Sequence, residues 1–207
     1  MSKPDYAIIV PTYNRLDEIE PLLGSISQLT FDHTNFEVLI VDDGSTDNTE
    51  TFVKDYITKA DFALKYYRQE NQGPAAARNL GMEHAQADFF IFVDSDVTLP
   101  PDWLTIIDKD LKEHNGDAFG GPDTFREDFP PLLKAINYSM TSFFTTGGMR
   151  GKKGKKLAKY YPRSFNMGLS RGIYEKIGPF YPLRHGQDIE FSHRILLSGA
   201  NVLYIDS

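Results

Sequence analysis

Asp88-Phe89-Phe90-Ile91-Phe92-Val93 runs directly into Asp94-Ser95-Asp96. The apolar run does not alternate with polar residues. It therefore predicts a strand covered on both faces, and the acids after it mark where the chain leaves the sheet.

The same pattern recurs toward the N-terminus. Tyr6 to Val10 is a second such run and ends in Pro11-Thr12-Tyr13-Asn14-Arg15. Phe36 to Val41 is a third and ends in Asp42-Asp43-Gly44-Ser45, and Ala63 to Arg68 is a weaker strand. Helical spacing fills the gaps. Ile19, Leu22, Leu23, Ile26 and Leu29 share one face, with Asn14 placed to cap their helix. Asp47 and Glu50 read as a capping pair ahead of Phe52, Val53, Tyr56 and Ile57. Gly73-Pro74 puts a proline at the first position of a helix reaching about Ala85. Pro100-Pro101 begin another, with Trp103, Leu104, Ile107 and Leu111 inward. Alternating strands and helices imply an α/β domain with a mostly parallel sheet, flanked by helices and joined by right-handed crossovers.

Toward the C-terminus the pattern changes. Gly120-Gly121-Pro122 ends a short strand, and Leu132 to Thr146 is helix-like and rich in aromatic and Met residues. Arg150, Lys152, Lys153, Lys155, Lys156 and Lys159 crowd a basic loop over 147–160. A strand around Ser164 to Leu169, short helical segments to Gly199 and a strand over Asn201 to Ile205 complete the chain. The halves divide at about 1–115 and 116–207, within one domain. A strand that stops at Ser207 with nothing after it reads as part of a longer chain.

Composition narrows the chemistry. The chain has 207 residues and a net charge of −7, which argues against nucleic-acid binding because phosphate backbones need basic surface. It has no cysteine, so disulfides, thiolate nucleophiles and Cys-type zinc sites are excluded, and a reducing, cytoplasmic setting fits. No basic-plus-apolar leader opens the sequence, and no apolar run reaches membrane-spanning length. Neither Gly-x-Gly-x-x-Gly nor a Walker-type Gly-Lys-Ser/Thr occurs, so dinucleotide and P-loop readings are poor.

Ligands of open α/β sheets bind beyond the carboxyl ends of the strands. Three strands here carry polar clusters to that edge. Asp94 and Asp96 fall on one side if the extended geometry continues, and two close carboxylates call for a proton or a cation. Mg²⁺ or Mn²⁺ suits oxygen donors of this kind. The bland alternative is an acidic turn capping the Pro100 helix. Asp42 and Asp43 could accept from a nucleobase or ribose, or merely shape the turn with Gly44 and Ser45. Tyr13 could stack on a base, an interaction worth roughly 1–3 kcal/mol in single-strand binders, or simply pack.

Taken in order and spacing, Pro11-Thr12-Tyr13-Asn14-Arg15, Val41 through Asp47, Asn71-Gln72-Gly73 with Ala77-Arg78-Asn79, and Phe92-Val93-Asp94-Ser95-Asp96 resemble family 2 glycosyltransferases with the GT-A fold. The resemblance covers most of the chain and is strongest in the first hundred residues. It implies an enzyme that moves a sugar, with inversion, from a nucleoside-diphosphate sugar to an acceptor hydroxyl in polysaccharide or glycoconjugate synthesis at the cell envelope. A UDP-sugar is the favoured donor, and the acceptor is a saccharide or lipid-linked molecule. Residues 1–115 would hold the donor, and residues 116–207 would face the acceptor.

Pro11, Thr12, Tyr13, Asp42 and Asp43 would hold base and ribose, with Arg78 near the nucleotide. Asp94 and Ser95 would contact the donor, and Asp96, with Asp94, would bind the Mg²⁺ or Mn²⁺ that bridges the phosphates. These transferases usually carry a later Glu-Asp pair whose Asp is the catalytic base. Here the stretch is Gly186-Gln187-Asp188-Ile189-Glu190, so Asp188 takes that role and Gln187 replaces the Glu. Neither His185 nor His193 stands where the family often has a metal-ligand His. The basic loop would contact an anionic membrane at its cytoplasmic face, or a phosphate-bearing acceptor, or would be only a solvated hinge. Rival readings are a sugar-phosphate nucleotidyltransferase, a receiver domain and a non-catalytic nucleotide-sugar-binding module. The first expects a Gly-rich basic loop after the first strand, and the second has no place for residues 116–207.

Overall fold

The computed structural model describes residues 3–121 and 161–206. The helix-like stretch Leu132 to Thr146 and the basic loop 147–160 lie outside the described residues.

Among the described residues, seven strands form one sheet. They are β1 (Tyr6–Thr12), β2 (Phe36–Asp42), β3 (Ala63–Arg68), β4 (Phe89–Val93), β5 (Ala118–Gly120), β6 (Asn166–Ser170) and β7 (Val202–Tyr204). The helices are α1 (Leu16–Ile26), α2 (Thr49–Ile57), α3 (Pro74–His84), α4 (Trp103–His114), α5 (Arg171–Ile177) and α6 (Gln187–Leu197). The strand order is β3-β2-β1-β4-β6-β5-β7. β1 through β4 are parallel, β6 runs antiparallel to both β4 and β5, and β7 is parallel to β5. The sheet is therefore mostly parallel, with β6 alone reversed.

Period-2 alternation sorts the core into two layers. Tyr6, Ile8 and Val10 of β1 face α1, α2 and α4, where Leu22, Leu23, Val53, Trp103 and Leu104 meet them. Ala7 and Ile9 face the other way, with Ala77 and Met82 of α3 and Phe191 and Ile195 of α6. The β1 and β2 residues in both layers are nearly fully buried, and each large aliphatic side chain contributes roughly 1.5–3 kcal/mol. Gly81 lets α3 approach β1 closely. A Cβ there would stand 2.4 Å from Ile9 Cγ2, well inside contact distance.

Register aligns the strand ends. Thr12 pairs with Asp42, and Asp42 with Arg68, so the polar clusters after β1, β2 and β4 share one edge.

Local capping differs from the expectation at two helix starts. Asn14 does not cap α1. It has φ 53°, and its Oδ1 accepts from Thr46 N at 2.7 Å and Asp47 N at 3.3 Å. It thus fastens the β1 end to the β2 end. Asp47 takes over part of the capping, accepting from Leu16 N through Oδ2 and from Thr49 N through Oδ1. Glu50 does not close a capping box, because Lys54 and Arg68 hold its carboxylate. The helix expected at Pro100-Pro101 begins at Trp103, whose N–H bonds to Pro100 O at 3.1 Å.

Candidate active site

A cavity of about 610 Å³ opens at the carboxyl edge of β1, β2 and β4. The β1 end supplies Pro11, Thr12 and Tyr13, the β2 end supplies Asp43, α3 supplies Arg78, and the β4 end supplies Asp94, Ser95 and Asp96. Residues separated by some eighty positions in the chain are gathered because three parallel strands end together there.

Tyr13 is 46% exposed at the cavity wall. Asp43 is buried and fully engaged: Oδ1 accepts from Gln69 Nε2 at 2.7 Å and Gln72 N at 2.8 Å, and Oδ2 from Gly73 N at 2.8 Å. It therefore shapes the Gln69–Gly73 loop as well as lining the cavity. Asp42 is not in the lining. It is sealed in the core, accepting from Ser45 N at 2.7 Å and from Tyr66 OH at 2.5 Å. Burial, and then the Asp42 carboxylate, push the Tyr66 phenol well above its usual range, so it remains a donor. Of the two acids expected to hold base or ribose, only Asp43 lines the cavity; the Asp42 oxygens bond the turn and β3.

Arg78 is buried and donates from Nη2 to Asp94 Oδ1 at 2.7 Å. Its Nε is buried without a hydrogen-bond partner, as is Thr12 Oγ1 on the same cavity. Buried polar atoms are almost always partnered, so two orphans beside one cavity fit a polar ligand.

Asp96 has its carboxyl raised above the ordinary value. Partial desolvation of the carboxyl is the largest cause, although the residue as a whole is exposed, followed by the charges of Asp94 and Glu18. A divalent cation would relieve this, and the all-oxygen donor set suits Mg²⁺ or Mn²⁺. Asp94 and Asp96 therefore fit a cation. A separate cluster of Asp110, Glu113 and His114 near the end of α4 has ligand atoms within 4.8 Å of one another, away from this cavity.

Glu18 was not singled out from the sequence. It lines the cavity, pairs with Arg15, and accepts from Ser95 Oγ at 2.7 Å. An acid in a helix's first turn is ordinary in sequence, so only the fold reveals it.

Asp188 sits in the first turn of α6, outside the cavity lining. Its Oδ2 accepts from Arg163 Nη1 at 3.3 Å, and its side chain is 25% exposed. Gln187 donates from Nε2 to Leu183 O at 2.5 Å and so ties the preceding loop to α6. Glu190 is held by Arg194 through both oxygens, and His193 stacks on Tyr161. Phe180 joins the α6 side to α3: it stacks on Phe191 at 3.8 Å, and its backbone N–H and C=O both bond to the Asn79 side chain.

Comparison with known proteins agrees with this geometry. An uncharacterized glycosyltransferase of Rickettsia conorii is 40% identical over 109 residues, which cover 53% of this chain and 17% of that protein. The poly(ribitol-phosphate) beta-N-acetylglucosaminyltransferase TarS of Staphylococcus aureus is 36% identical over 113 residues, 55% of this chain and 20% of that protein. This chain thus spans a fifth or less of the length of these curated relatives. A crystal structure of TarS in complex with UDP-GlcNAc matches with a TM-score of 0.74 and 26% identity over 98% of this chain and 58% of that one. The mannosyltransferase PcManGT from Pyrobaculum calidifontis, in complex with GDP-Man and Mn²⁺, shares the fold at a TM-score of 0.76 and 24% identity, covering 100% of this chain and 57% of that one. The model of the family described as glycosyl transferase family 2 matches residues 7–178. With GT-A folds as its structural neighbours and that model matching most of its length, the chain belongs to glycosyl transferase family 2.

Proposed function

We propose that the chain carries the donor-binding and catalytic centre of an inverting glycosyltransferase, moving a sugar from a UDP-sugar to the hydroxyl of a saccharide or lipid-linked acceptor. The observation that carries this reading is the cavity that gathers Thr12, Tyr13, Asp43, Arg78, Asp94 and Asp96 beyond the strand ends. Its exposed aromatic side chain suits a base, its buried guanidinium suits a phosphate, and its paired carboxylates suit a cation.

Tyr13 and Asp43 would frame the nucleoside, with Pro11 and Thr12 closing the wall behind it. Arg78 would turn part of its donor set toward the diphosphate. Asp94 and Asp96 would hold Mg²⁺ or Mn²⁺, which when bound supplies neutralisation of the charge that builds on the leaving diphosphate. Asp188 would take the proton from the acceptor hydroxyl as its oxygen attacks the anomeric carbon. With one base and no protein nucleophile, the product anomer is inverted. Residues 1–115 form the donor side of this scheme and 116–207 the acceptor side. The basic loop 147–160 would meet anionic lipid or a phosphate-bearing acceptor at the cytoplasmic face of a membrane. No helix among the described residues is long and apolar enough to cross one.

The test is calorimetric titration of UDP and GDP with Mn²⁺, followed by assignment of the product anomer. Asp188→Asn is expected to abolish transfer while leaving UDP affinity near that of the parent. Transfer at the parent's rate by that variant would remove Asp188 from the role of base, and retained configuration would remove the single-displacement scheme.

A further inference from the structure

Glu18 is a carboxylate inside the cavity that the proposed reaction does not use. Its side chain is only 19% exposed, unlike the freely solvated acid that a first-turn position usually carries. Both of its oxygens are engaged. Oε1 accepts from Arg15 Nη1, and Oε2 accepts from Ser95 Oγ at 2.7 Å. Ser95 is buried and stands between Asp94 and Asp96. β4 ends at Val93, so this turn lies beyond the strand's ladder.

Two side-chain tethers reach the turn, and they come from opposite layers of the molecule. Arg78 of α3 holds Asp94 from one face of the sheet. Glu18 of α1 holds Ser95 from the other. Because both Glu18 oxygens already have partners, its carboxylate is suited to anchoring the turn rather than to ligating an ion. A carboxylate accepting a hydroxyl is a charge-assisted bond and stronger than a neutral one.

We infer that Glu18 is a positioning residue for the cation site: through the Ser95 hydroxyl it fixes the turn on which Asp94 and Asp96 are presented. This rests on the reading of Asp94 and Asp96 as cation ligands. Groups that hold metal ligands in place typically change metal affinity by about 10–100-fold when removed.

The experiment is Mn²⁺ titration followed by the free-ion EPR signal, with UDP present, in an Arg15→Ala background so that no cation is stranded when Glu18 is changed. Glu18→Ala and Ser95→Ala are each expected to weaken Mn²⁺ binding about tenfold. Combining them is expected to weaken it no further, because they remove the same bond. Glu18→Gln keeps an acceptor for Ser95 and is expected to retain most of the affinity. It also serves as the folded control should Glu18→Ala melt. Unchanged Mn²⁺ affinity in Glu18→Ala, or losses that multiply in the double variant, would overturn the inference while leaving the cation reading intact. Equal Mn²⁺ binding by the parent and by Asp96→Asn would overturn the cation reading, and this inference with it.

Discussion

Arg78→Met separates what Arg78 does for the fold from what it does for a ligand. Methionine keeps an unbranched apolar stem and removes the guanidinium. Three contributions then change. The ion pair with Asp94 is lost; its carboxylate is 38% exposed, so solvent screening limits that pair to about 1 kcal/mol. The Phe180 ring, 5.9 Å from the guanidinium carbon, is near the limit of a cation–π contact and contributes about 0.5–1 kcal/mol. Against these, the buried Nε with no partner costs about 1–3 kcal/mol in the parent, and that cost disappears. The contributions nearly cancel, so the variant is expected to lie within about 1 kcal/mol of the parent, or about 2–4 °C in Tm for a chain of this size. UDP affinity in Mn²⁺ should nonetheless fall at least about tenfold, since hydrogen bonds to a charged group are worth about 1.5–3 kcal/mol. Thermal denaturation and calorimetric titration on the same preparations read both quantities. Destabilisation beyond about 2 kcal/mol would refute the ledger, because it would make Arg78 a framework charge. Unchanged UDP affinity would refute its place in the donor site.

Asp96 makes cation binding pH-dependent in a definite direction. Its carboxyl is raised in the folded chain, so the proton competes with the cation at a pH above the ordinary aspartate range, and Mn²⁺ affinity should fall as pH falls through that region. Without a cation, desolvation of the Asp96 carboxylate and its repulsion by Asp94 and Glu18 oppose folding in full above the raised folded pKa, and this penalty is lost as pH falls toward the ordinary aspartate value, so the group favours the folded state on the acid side. Mn²⁺ titrations across a pH series check the first sign and metal-free denaturant titrations across the same series check the second, with Asp96→Asn as the variant that flattens the stability trend. Asp42→Ala is the complementary case: it strands Ser45 N–H and the Tyr66 hydroxyl. It should cost about 2–5 kcal/mol in a denaturant titration, with little change in UDP affinity for the molecules that remain folded.

Much of the architecture was legible because it rests on local pattern. The unbroken apolar runs of β1, β2 and β4 and the polar stop after each follow from burial on both faces. The clustering of Thr12, Asp43 and Asp94 follows from parallel strands ending together. What the pattern did not carry was direction and pairing at longer range. The residues of β6 read as a strand, but nothing in their order says that it inserts, reversed, between β4 and β5. Asp42 and Asp43 look equivalent in sequence. Their fates differ because successive residues of a strand point to opposite faces: Asp42 turns to Ser45 and Tyr66, and Asp43 to the Gln69–Gly73 loop beside the cavity. Asn14 has the chemistry of a helix cap, yet Thr46 and Asp47 take its carbonyl oxygen first. Glu18 is an ordinary first-turn acid until the fold places Ser95 beside it.

The reversed β6 also has a consequence for how the molecule comes into being. β4 is central in the finished sheet, flanked by β1 and β6. β6 is synthesised roughly 70 residues after β4, a lag on the order of 4–14 s at typical elongation rates. Throughout that interval one side of Phe89-Phe90-Ile91-Phe92-Val93 lacks the β6 partner it has in the described sheet, and this is among the most apolar stretches of the chain. A nascent chain that stalls before Asn166 therefore lacks the strand that covers this edge, and an uncovered hydrophobic edge is suited to pairing with its neighbours on the polysome. β5 emerges earlier but cannot substitute, because its place in the sheet is defined by β6. The ribosome thus delivers the strand ends that line the cavity first and leaves the edge of β4 open until β6 arrives to cover it.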